Sequence, residues 1–320
     1  MKISFLGNHE VPFSTESDYA WTYEDLGHTV LRFQETGPNP SSTDEIWEQS
    51  QDADIFHYVH THNAEIPGSF DVFELLRRFK EKGIVTIGVH LDFWVGLERE
   101  KDVLAHPWWH TDYTFTADGG SNEFFKSKGI NHKYLKAGVV KRDCHYGQIS
   151  DNFRGDVAFI GSYHYHPEYN YRPQLIDWLS DTYRDRFRRY AGDTQWGTIR
   201  GSALNSVYAS TKITVGDTLN INFSHPDYFS DRLFEATGRG GFVIFPYIKG
   251  IEDCFRLGKE LITYEYGNFE QLKELIEYYL DHDIERETIR LAGHHRTIRD
   301  HTYHNRVEEI FGILKQDGRI

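Results

Sequence analysis

Short apolar runs alternate along the chain with amphipathic stretches. Lys2-Ile3-Ser4-Phe5-Leu6-Gly7 is an apolar run stopped by glycine, the pattern of a buried parallel strand entering a loop. A helix is predicted over 17–26 and a second strand over 27–33. Residues 53–59 read as a third strand. Val72, Leu75, Leu76 and Phe79 then fall on one helical face, closed by Gly83. Strands over 84–89, 113–115 and 133–135 complete a first doubly wound α/β domain.

The apolar pattern lapses over 141–155, where Arg, Asp, His, Asn and Gly collect. A domain boundary is expected there, giving domains 1–150 and 151–320. The second begins as the first does, with a strand over 156–160 running into Gly161-Ser162. Helices over 173–182, 203–210, 231–237 and 269–280 alternate with strands over 187–191, 213–215 and 241–245. A last helix over 304–314, with Val307, Ile310, Phe311 and Leu314 on one face, is free to return to the first domain. Two Rossmann-like domains are therefore expected, their parallel sheets facing across a cleft at the strands' carboxyl ends.

The 320 residues are enough for about two domains at roughly 150 each. The composition, 39% hydrophobic and 26% charged, is that of a globular chain. No apolar run approaches the ~18 residues of a membrane span. The amino-terminal residues lack a signal-peptide pattern and there are two cysteines, so a cytoplasmic location is expected. Residues 1–150 carry 23 acidic and 14 basic side chains (net −9), and residues 151–320 carry 26 and 21 (net −5). This acidic balance disfavours polyanion partners, including a DNA acceptor. The 20 Tyr and 7 Trp suit sugar or base stacking as well as core packing.

The richest local pattern runs from Asp227 through Ser230-Asp231-Arg232-Leu233-Phe234-Glu235 to Gly240-Gly241 and a buried strand. A capped helix start offers free N–H groups and a favourable dipole to a phosphate. Ser230 and Arg232 can add donors, and Glu235 can accept hydrogen bonds from two ribose hydroxyls. The same pattern also describes an ordinary capped surface helix.

This stretch, with Gly258-Lys259-Glu260-Leu261-Ile262-Thr263-Tyr264, Glu285-Arg286 and His301-Thr302-Tyr303, resembles the second domain of GT-B glycosyltransferases. It is most similar to the CgeB-like, spore-maturation group related to retaining glycosyltransferase family 4. The resemblance covers about 170 residues and is looser in the first domain, through Gly27-His28-Thr29-Val30 and Gly88-Val89-His90-Leu91-Asp92. It implies a sugar transferase using a nucleotide-diphosphate-sugar as co-substrate, with retention of configuration and neither cofactor nor metal. Glu235 would hold the ribose. The motif's first acid, separated from Glu235 by seven residues and helping to hold the donor sugar, falls on Asp227, one methylene shorter than the family's Glu. Gly161 and Ser162 would approach the diphosphate, and Arg172 and Lys212 would neutralise it.

His60, His62, His90 and Asp92 lie at or just beyond strand ends of the first domain and are candidates for the acceptor side. Asp92 or His90 would act as base if the reaction inverts configuration. Trp94, with Trp108 and Trp109 nearby, can stack on an acceptor. The spacing His57-x-x-His60-x-His62 lacks the companions of a zinc site, so no metal is expected. Two other functions fit the same architecture: an inactive nucleotide-sugar-binding or structural protein, and a sugar-nucleotide epimerase.

Overall fold

Each run of buried β-branched and aromatic residues becomes one strand of a parallel sheet. The computed structural model describes residues 1–60, 71–221 and 223–320, in two compact units. The first comprises Met1–Lys136 and Tyr303–Ile320, the second Ala137–Thr302.

The first unit contains β1 (Lys2–Gly7), α1 (Thr15–Asp25), β2 (Thr29–Gln34), α2 (Thr43–Ser50), β3 (Ile55–Val59) and α3 (Val72–Lys82). There follow β4 (Val85–His90), β5 (Tyr113–Thr116), α4 (Asn122–Ser127) and β6 (His132–Tyr134). Its sheet is ordered β2-β1-β3-β4-β5-β6, with parallel pairing. Helix α3 is capped by Asp71, whose side chain accepts from the Glu74 N–H, and ends at Gly83 in the left-handed region (φ 81°). Its predicted face, Val72, Leu75, Leu76 and Phe79, packs into a core with Phe56, Tyr58 and Trp109.

The second unit contains β7 (Gly155–Ile160), α5 (Tyr171–Tyr183), β8 (Phe187–Tyr190), α6 (Ser202–Ser210) and β9 (Thr211–Val215). It continues with α7 (Asp231–Gly238), β10 (Val243–Pro246), β11 (Ile262–Tyr264), α8 (Phe269–Asp281) and α9 (Asp283–Asp300). The sheet is ordered β11-β10-β9-β7-β8, again parallel.

The units divide at 136/137 and 302/303 rather than at 150/151. Residues 137–150 are fastened to the second unit. The Arg239 guanidinium donates to Asp143 at 2.5 Å, and the Asn205 amide donates to the carbonyls of Asp143 (2.8 Å) and His145 (2.6 Å). A Cβ on Gly147 would lie only 2.1 Å from the Asn205 backbone. The last helix, α10 (Tyr303–Gln316), packs on the first unit. Tyr303 stacks on Tyr19 with ring centroids 4.5 Å apart, and the His304 ring meets Asp25 at 2.8 Å.

Helices α2 and α9 were absent from the apolar pattern. The buried residues of α2 are only Ile46 and Ser50, and those of α9 are chiefly Arg286, Ile289, Gly293, His294 and Thr297. Periodicity of apolar residues cannot report such faces.

Candidate functional site

In open parallel sheets a ligand binds beyond the strands' carboxyl ends, where the strand order reverses. In the second unit that point lies between β7 and β9. Gly161 follows β7 with φ 153°, and a Cβ there would stand 2.6 Å from Arg232 Nη1. A side chain there would have to push the guanidinium aside. Arg232 lies in the first turn of α7. The Ser230 Oγ caps that helix by accepting from the Arg232 N–H at 3.3 Å, and donates to Asp231 Oδ1 at 3.1 Å. Arg232 Nη1 is buried and has no hydrogen-bond partner. A cation with an unused, desolvated donor at a helix N-terminus is arranged to meet an anion.

One turn on stands Glu235. Burial raises its pKa, Arg239 opposes that, Asp231 adds to it, and Arg200 and Arg232 oppose it, leaving the net shift upward. Arg239 Nε lies 3.4 Å from the Glu235 carboxylate, and Arg239 also donates to the Gly201 carbonyl at 3.1 Å and to Asn205. Sequence reasoning had given Arg239 no role. The structure makes it the strut that ties Gly201 and Asn205, at the start of α6, to the end of α7. Arg232 and Glu235 thus stand one turn apart on α7.

Of two expected phosphate ligands, one lies elsewhere and the other is engaged by a buried carboxylate. Lys212 sits at the amino end of β9 and pairs with Asp156 of β7 at 2.9 Å, at the opposite edge of the sheet from Gly161. Arg172 is buried, its Nε donating to Asp217 Oδ2 at 2.8 Å, and Nη1 reaching only the Ser162 Oγ at 3.5 Å. Its charge is spent on a carboxylate that immediately follows Gly216, beyond β9. Ser162 itself donates to the His164 carbonyl at 2.7 Å. Asp227 has φ 55° and donates its N–H to the Lys249 carbonyl at 2.9 Å. Its carboxylate is so close to Gly250 that a Cβ there would fall 2.0 Å from Oδ1.

In the first unit, His60 is held by Glu35, Nδ1 lying 2.9 Å from both carboxylate oxygens, and Tyr58 donates to the same carboxylate. The His60 ring stacks on Trp108 at 4.5 Å, and His106 also stacks on Trp108 at 4.5 Å. Glu35 and His106 went unnoticed in sequence, although Glu35 directly follows β2 and an acid at a strand end is a readable signal. His90 is buried, and burial, then the charges of Arg99, His60 and His106, hold its pKa well below the usual range. Its Nδ1 lies 3.2 Å from the Asp92 N–H and its Nε2 3.3 Å from Trp94 Nε1. A neutral imidazole accepts at only one of these. Asp92 faces Arg99 at 4.0 Å. Trp94 is not the open platform expected. It is 4% exposed, with the Arg99 guanidinium 4.7 Å from its ring centroid and His106 and Trp109 around it. His62 lies outside the described residues.

Among the described residues no three His, Cys, Asp or Glu side chains gather as a metal-binding group. Nor is any described helix long and apolar enough to cross a membrane.

Residues 170–312 match the family model described as glycosyl transferase-like. No curated protein matches the sequence. Among solved structures, an alpha-glucosyltransferase in complex with UDP-glucose and DNA containing an abasic site superposes with a TM-score of 0.69. It is 11% identical, over 98% of this chain and 99% of that one. Anabaena HepE in complex with UDP-glucose gives 0.67 at 12% identity, over 99% and 100%. A glycosyltransferase from Rickettsia africae gives 0.64 at 12% identity, over 98% of both. The two parallel-sheet units are those of the GT-B fold.

Proposed function

We propose that this chain is a glycosyltransferase that moves a sugar from a nucleotide-diphosphate donor to a hydroxyl acceptor. The observation that carries this reading is the buried, unpartnered Nη1 of Arg232, set against Gly161 at the N-terminus of α7. The diphosphate would lie on that guanidinium and on the first N–H groups of the helix. Glu235 would accept hydrogen bonds from the ribose. As the glycosidic bond breaks, negative charge grows on the departing diphosphate, and a fixed cation there lowers the barrier. The neighbours solved with UDP-glucose make it the first donor to try.

Retention of configuration, and membership of the CgeB-like group near family 4, rest on the motif resemblance over 227–306. Under retention the leaving phosphate can take the acceptor proton. Arg232, with the helix dipole, would carry charge neutralisation without a metal. A small-molecule, glycan or protein acceptor suits the net charge of −14 better than DNA does.

The test is a panel of UDP-, GDP-, CMP- and dTDP-sugars, read first by thermal shift and then by release of free nucleotide. A donor present at about 100 times its Kd stabilises the folded state by about 2.7 kcal/mol. A shift with one base, lost in Glu235→Ala, and nucleotide release on adding acceptor would support the reading. Absence of binding by every donor would overturn it. Binding without turnover, for which the shortened carboxylate at Asp227 allows, would reduce it to a nucleotide-sugar-binding protein.

A further inference from the structure

The buried pair Arg172–Asp217 is the centre of a polar cluster that no step above uses. Asp217, Thr218 and Asn220 are all fully buried just beyond β9, where loops ordinarily lie at the surface. Asp217 Oδ1 has no hydrogen-bond partner, an uncommon state for a buried carboxylate oxygen. The Thr218 carbonyl accepts from the Tyr169 hydroxyl at 2.5 Å and from the Tyr266 hydroxyl at 2.9 Å. These two phenols also stand 2.5 Å from one another, and Tyr169 is 3.5 Å from Asp217 Oδ2. With one proton each they can donate only two of these bonds at a time. Burial holds both phenol pKa values well above the ordinary value, so both remain donors.

The other side of Thr218 reaches the candidate donor site. Its Oγ1 accepts from the Ser230 N–H at 3.1 Å, and Ser230 is the residue that caps α7. The loops after β7 (Tyr169) and after β11 (Tyr266) thus meet the loop after β9 at one residue, Thr218. That residue holds the cap of the helix carrying Arg232 and Glu235.

We propose that Thr218, fixed from behind by the Arg172–Asp217 pair and by Tyr169 and Tyr266, positions the N-terminus of α7 for the donor diphosphate. Arg172 then acts through Asp217 and Thr218 as a positioning residue. The proposal rests on the donor site proposed above, so its test needs one arm that requires no ligand.

The experiment compares wild type, Thr218→Val and Thr218→Ser. Valine keeps the shape and removes the acceptor for the Ser230 N–H, whereas serine restores it. In the ligand-free protein, the backbone amides of residues 230–233 are expected to exchange hydrogen faster in Thr218→Val and at the wild-type rate in Thr218→Ser. With UDP as the probe, Kd is expected to rise about tenfold in Thr218→Val and to recover in Thr218→Ser, with melting temperatures of all three within a few degrees. Unchanged exchange in Thr218→Val overturns the proposal whether or not UDP binds. Faster exchange with an unchanged Kd also overturns it, since the helix end would then be loosened without consequence for the ligand. Faster exchange in a protein whose wild type ignores UDP upholds the link from Thr218 to α7 and places the failure in the donor reading.

Discussion

The two units share a strand order, since β2-β1-β3-β4-β5 and β8-β7-β9-β10-β11 are the same path through a parallel sheet. Each has, at the carboxyl end of its first strand, a glycine with an acidic or basic side chain pressed against it. At Gly7 a Cβ would meet Glu16 Cγ at 2.5 Å, and at Gly161 it would meet Arg232 Nη1 at 2.6 Å. The signs of charge are opposite. Behind Gly7 lie buried rings: His57 stacks on Phe5 at 4.3 Å and its Nδ1 meets the Tyr23 hydroxyl at 3.0 Å. Behind Gly161 lie Arg232 and a capped helix end. Topology provides two equivalent strand-order reversals, and the side chains beside them give each a different charge.

The largest expected effect that follows from this difference is an acid sensitivity of the first unit. Burial lowers the His57 pKa to about 3, with the charge of His9 adding to the shift. Above pH 6.5 the ring is neutral whether the unit is folded or not. Between 6.5 and 3 the unfolded chain binds a proton that the folded one refuses, so stability falls as pH falls through that window. The slope is about 1.4 kcal/mol per pH unit for one such group, and roughly 4–5 kcal/mol over the window. Five of the seven tryptophans lie in the first unit, so denaturant titrations followed by tryptophan fluorescence from pH 7 to 4 report chiefly on it. The double change His57→Phe with Tyr23→Phe, which removes both hydrogen-bonding partners, should flatten that slope. An unchanged slope would contradict the assignment.

Next in size is the contrast between the two glycine-facing charges. Arg232→Ala should weaken UDP about 10- to 100-fold by calorimetry, the range for a lost charge-assisted hydrogen bond. Glu16→Gln should leave the affinity within about twofold of wild type. Equal losses from both changes would erase the distinction between the units. A smaller effect concerns Glu235, whose raised pKa means that it takes up a proton at higher pH than an ordinary glutamate. Donor affinity should therefore decline as pH falls through that raised value, and Glu235→Gln should bind more weakly with a flatter pH profile. The smallest is Lys212→Ala, which severs a half-exposed pair with Asp156 at the far edge of the sheet. Stability should change by no more than about 1 kcal/mol, and UDP affinity should not move.

Where a buried face is apolar and periodic, the sequence was sufficient. Val72, Leu75, Leu76 and Phe79 do share the buried face of α3, and Lys2–Gly7 is a strand. Ser230 does cap a short helix that carries Arg232 and Glu235, as the local pattern suggested. Lys212 misled, although its place was readable: a residue at the start of a parallel strand belongs to the amino edge of the sheet, away from ligands. Arg172 could not be assigned from sequence, because its partner Asp217 lies 45 residues on and meets it only through the pairing of β7 with β9. Trp94 failed for a different reason. An aromatic residue near a strand end can stack on a ligand or fill a core, and its neighbours Arg99, His106 and Trp109 decide for the core.

The central claim is that the second unit, through the ends of β7 and β9 and the start of α7, receives the nucleotide. Backbone hydrogen exchange across the whole chain, with and without saturating UDP, tests it most directly. Protection confined to peptides covering 160–163, 216–220 and 230–236 is the predicted result. Protection appearing instead around 7–10 and 57–60, at the equivalent strand ends of the first unit, would contradict it.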